Sequence, residues 1–201
     1  LITSSAASDV YKRQQLWSVN GIAVDSGAAM LANGQIISTS GSTASVIDML
    51  GQTIKTWEFS SSVSSFHGLS QNRFLCAHTD AGMIAEYNAN GELIWSLDGL
   101  NKPRNVSRYD NGNLSVVLDI EKKNSNGDET VAEVELVELS PDGGSIVSSI
   151  QPRGVKSITA SAKLPNGNTL VGTEKGLAEY TPSGYAIKVW LKNPITVLHV
   201  Q

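Results

Sequence analysis

The stretch GMIAEYNANGELIWSL, residues 82–97, decides the fold. It contains a short run of alternating apolar residues, an Asn90-Gly91 turn and a second run that includes Trp95. The same pattern recurs nearly position for position at residues 176–191, and more loosely at residues 44–59 and 134–150. A pattern that recurs at such intervals along the chain is typical of repeat proteins, in which similar supersecondary units stack on one another.

Two series of turns divide the chain into repeated units. The first series is Asn33-Gly34, Gln71-Asn72, Asn111-Gly112 and Asn166-Gly167, and the second is Leu50-Gly51, Asn90-Gly91, Asp142-Gly143 and Ser183-Gly184. Asn-Gly and Asp-Gly between alternating runs favour hairpins with a type I′ turn, in which both central residues have positive φ. Four short strands per unit are therefore predicted.

Short, evenly spaced strands in four-stranded units predict an all-β fold, the β-propeller, in which such sheets are arranged radially as blades. A sandwich or barrel could use the same strands, but neither explains why Trp recurs where the units close. We expect a repeat domain at residues 15–201 with four complete blades, at residues 22–59, 60–97, 98–151 and 152–191. Residues 15–20 are expected to be the outer strand of a preceding blade, and residues 195–201 the start of the next one.

The recurring tryptophans are predicted to dock each blade against its neighbour. They are Trp17, Trp57, Trp95 and Trp190, with Ile150 at this place in the third unit. Burial of an indole removes roughly 150–250 Å² of surface from water, so these side chains are expected to stabilise the contacts between blades.

Two stretches carry a resemblance to known families. Ala85, Gly91 and Trp95 fall at the spacing of the repeat in pyrroloquinoline-quinone-type propellers, which this stretch resembles, although Tyr87 and Asn90 stand where that repeat has Asp and Thr. Residues 164–184 (LPNGNTLVGTEKGLAEYTPSG) are similar to the LPNGN repeats of bacterial propellers, including those related to arylsulfotransferases. The resemblance implies a periplasmic or secreted location and six to eight blades. We therefore expect a fragment of a larger propeller, or alternatively a ring of five whose split blade uses both termini.

Residues 1–14 (LITSSAASDVYKRQ) do not fit the repeat. The run SSAASDVYKRQ resembles translated library-adapter sequence, so the tail is interpreted as non-native, or else as a disordered natural tail, and is excluded from fold reasoning. The native N-terminus is then expected to be truncated, which would remove any signal peptide.

Composition excludes several classes of function. The formal net charge is −4 without a Lys/Arg cluster, which argues against nucleic acid as a partner. No window reaches the ~18 apolar residues of a membrane span. The three His are far apart in sequence, and Cys76 in RFLCAH is interpreted as a small core residue. We predict neither a metal site nor a cofactor.

Polar residues at the first strand of each unit are the candidates to line a central channel. They are Asp25, His67, Arg104, Asn105, Ser157 and Thr159. In the arylsulfotransferase resemblance a channel His accepts the sulfuryl group beside cationic groups, which makes His67 and Arg104 the candidates for catalysis. The alternative is that His67 is a hydrogen-bonded structural residue.

An acidic insertion interrupts the repeat in the third unit. Glu121, Asp128, Glu129 and Glu133 lie on a hairpin predicted to extend past the edge of the blade. Charge there protects an exposed strand edge from pairing, and the alternative is a hairpin that docks a partner.

For the function we favour a non-enzymatic propeller, an extracytoplasmic binding or scaffold module whose partner is a protein or a small molecule. Whether the protein is an enzyme stays open at this point. The alternative is a fragment of a propeller enzyme of quinoprotein or arylsulfotransferase type, which would require several convergent charged groups and a cofactor pocket.

Overall fold

The computed structural model of the chain describes residues 24–123 and 130–191. Within these ranges the chain forms sixteen β-strands and no helix. The strands make four antiparallel sheets of four strands each, called blades 1 to 4 in chain order. Blades 1 and 2 contain β1 (Gly27–Met30), β2 (Ile36–Ser40), β3 (Thr43–Ile47), β4 (Thr53–Glu58), β5 (Ser65–Leu69), β6 (Arg73–His78), β7 (Met83–Asn88) and β8 (Leu93–Leu97). Blades 3 and 4 contain β9 (Pro103–Arg108), β10 (Leu114–Lys123), β11 (Thr130–Leu139), β12 (Ile146–Ile150), β13 (Ile158–Lys163), β14 (Thr169–Thr173), β15 (Gly176–Tyr180) and β16 (Ala186–Leu191).

Consecutive strands are neighbours in every blade, and the first strands of successive blades face one another. β1 packs along β5, and β5 packs along β9, so the first strands are the innermost ones. This arrangement is that of a β-propeller, and the predicted all-β fold with four four-stranded blades is confirmed. The tail at residues 1–14, the expected strand at residues 15–20 and the expected blade start at residues 195–201 lie outside the described residues.

The hairpin turns differ from the prediction in their type. At Asn90-Gly91 the Gly91 N–H donates to the Asn88 carbonyl at 2.9 Å and only Gly91 has positive φ (+83°), which is a type I turn followed by a left-handed glycine. The Asn88 side chain holds this turn, since its Oδ1 accepts hydrogen bonds from the backbone N–H groups of Asn90 and Glu92. Among the predicted turns, Gln71-Asn72 is the one with positive φ at both residues. At the other predicted turns the prediction of type I′ is therefore wrong, because their loops have three residues and were interpreted as loops of two.

Hydrophobic clusters fill the space between successive blades. The first lies between blades 1 and 2 and includes Ile37, Phe74 and Cys76, all fully buried. The second joins blades 2 and 3, and the third joins blades 3 and 4. Burial raises the pKa of the Cys76 thiol, so this cysteine is an inert core residue, as predicted.

Two of the tryptophans lie against a turn of the following blade. Trp57 of β4 packs so close to the turn of blade 2 that a Cβ atom at Gly91 would lie 2.5 Å from Trp57 Nε1. Trp95 of β8 packs in the same way against blade 3, where a Cβ atom at Gly143 would lie 2.7 Å from Trp95 Cζ2. Both indoles also join the clusters between their blades.

The other two tryptophans differ from this pattern. Trp190 of β16 is 50% exposed, and the Lys188 ammonium lies 3.4 Å from the centre of its ring. No blade that follows blade 4 is present among the described residues, so Trp190 lacks the covering turn there. Trp17 lies outside the described residues.

The insertion in the third unit forms a ribbon that extends beyond its blade. β10 and β11 pair from Leu114 with Leu139 to Lys123 with Thr130, whereas β9 pairs with β10 no further than Leu118. Lys102 and Arg104 pair with Glu121 and Asp119 of the ribbon, at 3.5 and 2.5 Å. Glu133 is half-buried, and Asp128 and Glu129 lie outside the described residues.

Candidate functional site

The innermost strands of blades 3 and 4 flank a cavity that is partly open to solvent. β1 and β5 approach closely where Gly68 faces Ala29, since a Cβ atom at Gly68 would lie 2.5 Å from the Ala29 Cβ. β5 and β9 are joined by the Ser65 hydroxyl, which donates to Asn105 Oδ1 at 2.9 Å. β9 and β13 make far fewer close contacts with each other, and the space between them is called the wedge cavity.

The wedge cavity has a volume of about 270 Å³. This is close to the lower limit of roughly 300–1,000 Å³ for small-molecule sites. Its lining consists of His67, Asn105, Ser107, Arg108, Tyr109, Ser115, Val117, Ile158, Thr159, Ala160 and Ser161. Most of these side chains are small, which leaves the space between the two strands unfilled. The lining is mainly polar, with Val117 and Ile158 as its branched apolar side chains.

A row of hydroxyl groups crosses the cavity from blade 3 to blade 4. The Tyr109 hydroxyl donates to Ser161 Oγ at 2.9 Å, and the Ser115 and Ser161 hydroxyls are 2.8 Å apart. Burial raises the pKa of Tyr109, so its phenol stays protonated at neutral pH and keeps its donor. The row offers both donors and acceptors to a bound molecule.

Arg108 belongs to a partly buried group of three charges behind the cavity. Its Nη2 lies 2.9 Å from the Glu86 carboxylate, which also binds Arg73 Nη1 at 2.7 Å. The Glu86 side chain is 5% exposed, so one buried carboxylate is shared by two guanidinium groups and the group carries one net positive charge. The Nε atoms of both arginines are buried without a hydrogen-bond partner. Such orphan donors are rare in protein interiors.

His67 of β5 contributes a neutral imidazole to the lining. Burial lowers the pKa of His67, and the positive charge of Arg108 lowers it further. A neutral imidazole carries one N–H donor and one acceptor nitrogen, so His67 can form hydrogen bonds of either kind with a bound molecule.

The structure brings together three of the six predicted channel residues. His67, Asn105 and Thr159 line the wedge cavity. Arg104 instead points to Asp119 of the ribbon, and its side chain is 52% exposed. It is therefore not beside His67 in the lining of the cavity. Val117 pairs with Asn105 and Leu118 with Pro103, so Arg104 lies at a β-bulge, which changes the side that its side chain faces.

The other two predicted channel residues also lie away from the cavity. Asp25 accepts a hydrogen bond from the Ser40 hydroxyl at 2.5 Å, at the exposed start of blade 1. Ser157 donates through its hydroxyl and its backbone N–H to the Glu174 carboxylate, at 3.1 and 3.0 Å. Asp25 is thus held by β2, and Ser157 by the turn between β14 and β15.

Sequence reasoning missed Arg108, although the repeat contains a signal for it. Arg108 and Lys163 both stand four residues before the first turn glycine of their units. Each binds a glutamate on the third strand of the preceding blade: Arg108 binds Glu86, and Lys163 binds Glu138 at 2.6 Å. Burial would raise the pKa of Glu138, but hydrogen bonds from Lys163 and two neighbours lower it. Comparison of equivalent positions between units would have indicated these pairs.

The described residues contain neither a metal-binding cluster nor a membrane-spanning helix. Among residues 24–123 and 130–191, no group of three His, Cys, Asp or Glu side chains is placed to hold a metal ion. The described residues also include no helix with the length and hydropathy of a membrane span.

Comparison with known proteins supports the fold and no particular family. No family model matches the chain, and no curated protein matches it. The β-propeller domain of Cps50 (Swd1) from Myceliophteria thermophila is 12% identical with a TM-score of 0.58, over 91% of this chain and 62% of that one. The WD40 β-propeller domain of Doa1 is 19% identical with a TM-score of 0.54, over 80% of this chain and 51% of that one. A protein of unknown function from Bacteroides caccae is 17% identical with a TM-score of 0.55, over 87% of this chain and 70% of that one.

The protein is therefore a β-propeller. At these identities the likeness concerns the fold alone, and the chain spans 51 to 70% of the length of these structures. The propeller expected from the sequence resemblance is confirmed. The comparisons give no support to the pyrroloquinoline-quinone-type and LPNGN-repeat families, so this finer assignment stays a prediction.

Proposed function

We propose that this propeller is a non-enzymatic binding module and that its ligand is a small polar molecule held in the wedge cavity. One observation carries the proposal: a cavity of about 270 Å³ between two innermost strands is lined mainly by hydrogen-bonding side chains. Water fills a partly open polar cavity of this kind, and a ligand with hydrogen-bonding groups could replace that water. Side chains that converge at this inner position stand on β-strands, which hold them more precisely than loops would.

Filling the cavity tests the proposal. Ser161→Leu places a larger apolar side chain between β9 and β13, whereas Thr56→Leu makes a similar change on the exposed face of β4. We expect ligand-observed NMR with a panel of small polar metabolites to detect binding to the unaltered chain and to the Thr56 variant. The signal should disappear in the Ser161 variant, while circular dichroism shows the same strand content. Binding that survives in the Ser161 variant would contradict the proposed site.

Scaffold function is assigned to a second surface, the acidic ribbon of β10 and β11. The ribbon extends beyond the four-stranded part of blade 3, and the Glu121 side chain at this end is 64% exposed. A partner with a basic surface would fit it. Replacement of residues 121–133 by a short turn should abolish capture of that partner, and an unchanged interaction would contradict this part of the proposal. The extracytoplasmic location implied by the resemblance is part of the same proposal, and fractionation of the native host would test it.

The alternative, a propeller enzyme of quinoprotein or arylsulfotransferase type, is favoured by one observation. His67 lies in the wedge cavity with Arg108, so a neutral imidazole and a guanidinium line the same space. An imidazole of this kind could accept a sulfuryl group from an aryl sulfate and release the phenol. Incubation with p-nitrophenyl sulfate should then release p-nitrophenol and add a sulfuryl group to His67. Absence of both products, in a chain that binds its ligand panel, would exclude this activity.

A further inference from the structure

The chemistry of the wedge cavity narrows the class of its ligand, and this inference rests on the proposed function above. Arg108 is the one charged side chain among the described residues that line the cavity. Its Nη2 is held by Glu86, yet the group it forms with Arg73 carries one net positive charge. An anion in the cavity would therefore meet an attractive field without a carboxylate in the lining to repel it.

Donors are available at the positive end of the cavity. The Arg108 side chain lines the cavity and is 26% exposed, and the neutral His67 imidazole carries one N–H. Bonds from a guanidinium to a carboxylate are stronger than those between neutral groups, and its planar shape suits the two oxygens of a carboxylate. These two side chains are suited to bind a carboxylate group.

Hydroxyl groups line the rest of the cavity. Tyr109, Ser161 and Ser115 are linked by hydrogen bonds of 2.9 and 2.8 Å, and Ser107 and Thr159 add two more hydroxyls to the lining. Each hydroxyl both donates and accepts, so a ligand that carries hydroxyl groups would replace water at these positions without leaving buried groups unpaired. An unsubstituted fatty acid would displace water from these hydroxyl groups without replacing its hydrogen bonds, at a cost in affinity.

We propose that the wedge cavity binds a small hydroxylated carboxylate, such as a sugar acid. The carboxylate lies at Arg108 and His67, and the hydroxyl groups of the ligand lie along the row formed by Tyr109, Ser161 and Ser115. The volume of about 270 Å³ suits a molecule of this size.

The experiment uses the full chain and isothermal titration calorimetry with three probes: D-glucuronate, D-glucose and sodium sulfate. D-Glucose is the uncharged match of D-glucuronate, and sulfate is an anion without hydroxyl groups. We expect D-glucuronate to bind at least tenfold more tightly than either of the others. Equal affinity for D-glucose, or equal affinity for sulfate, would overturn the assignment of the ligand class.

Variants of two arginines on β9 provide the control. Arg108→Gln should weaken D-glucuronate binding about tenfold or more, and Glu86 keeps Arg73 as its partner in that variant. Arg104→Gln removes a guanidinium of the same strand that does not line the cavity, and it should leave the affinity unchanged. Arg108→Lys keeps the positive charge and should bind D-glucuronate with part of the original affinity. This result would show that the loss in Arg108→Gln comes from the missing charge and not from misfolding. Equal affinity in Arg108→Gln and Arg104→Gln would overturn the role of Arg108.

The two proposals fail in different ways. In the first case, some compounds of the polar metabolite panel bind to the unaltered chain but not to the Ser161→Leu variant, and D-glucuronate does not bind. The cavity then binds another class of ligand, and only the inference about sugar acids is wrong. If no compound of the panel and none of the three probes binds, both the inference and the proposed function are wrong.

Discussion

Replacement of a single turn glycine tests whether the tryptophans join neighbouring blades. Gly91→Ala adds a methyl group at a position where a Cβ atom would lie 2.5 Å from Trp57 Nε1 and 2.7 Å from Trp57 Cδ1. Contact at this distance forces the indole or the turn to move, because interiors are too closely packed to absorb a methyl group. Trp57 belongs to blade 1 and Gly91 to blade 2, so the displacement would open the contact between two blades.

The expected loss of stability in Gly91→Ala has two parts, a backbone cost and a packing cost. A glycine in an equivalent turn allows the two costs to be measured separately. Gly91 has φ of +83°, and a left-handed conformation costs a non-glycine residue about 1–2 kcal/mol. Insertion of a methyl group into a packed contact costs about 1–3 kcal/mol more. Gly167 forms the same turn with φ of +84°, but nothing lies within 4 Å of its Cβ position. Gly167→Ala should therefore cost about 1–2 kcal/mol, and Gly91→Ala about 2 kcal/mol more.

Thermal and urea unfolding measure the difference. For a chain of this length, 1 kcal/mol corresponds to about 2–4 °C in Tm, so Gly91→Ala should melt about 4–8 °C below Gly167→Ala. In a Trp57→Ala background the two alanine variants should cost the same, because the indole that causes the clash is gone. Equal losses in the unaltered background, or a difference that persists without Trp57, would refute the docking of blades by tryptophan.

Three further predictions concern stability. Trp95→Ala should lower the free energy of unfolding by about 3–5 kcal/mol, and a loss in Tm below about 2 °C would contradict it. Lys163→Met leaves the buried carboxylate of Glu138, which is 4% exposed, without its cation. The free energy of unfolding measured in urea should fall by about 3 kcal/mol. An unchanged urea midpoint would show that the ion pair contributes nothing to stability. Burial lowers the pKa of His78 below its usual 6.5, so the unfolded chain binds the proton first. Stability should be constant above pH 6.5 and fall as the pH drops from 6.5 towards the lower pKa of the folded state, with a smaller slope in His78→Gln. An equal slope in that variant would assign the effect to other groups.

Much of the fold could be predicted because its signals are local. Alternation of apolar residues and turn residues such as Asn90-Gly91 act within one hairpin, and they repeat in every unit. The type of turn was predicted wrongly because it depends on how the Asn88 side chain bonds to the backbone ahead of it, a choice that the Asn-Gly pair itself does not reveal.

The site was predicted less well. His67, Asn105 and Thr159 line the wedge cavity, but Arg104, chosen as the cationic neighbour of His67, faces the ribbon. Arg108 lies in the lining instead. The sequence places both arginines on the same strand, and the side that each faces depends on the register of β9 with β10, where a bulge lies between Val117 and Leu118.

The amino-acid sequence by itself determined an all-β repeat with four strands to a blade, and it marked where the blades touch, because alternation, turns and recurrent tryptophans are properties of short segments. Only the tertiary structure decided that β9 and β13 diverge, that a cavity opens between them and that Glu86 joins two arginines behind it. These features depend on the distance between blades, which is set by the packing of side chains far apart in sequence.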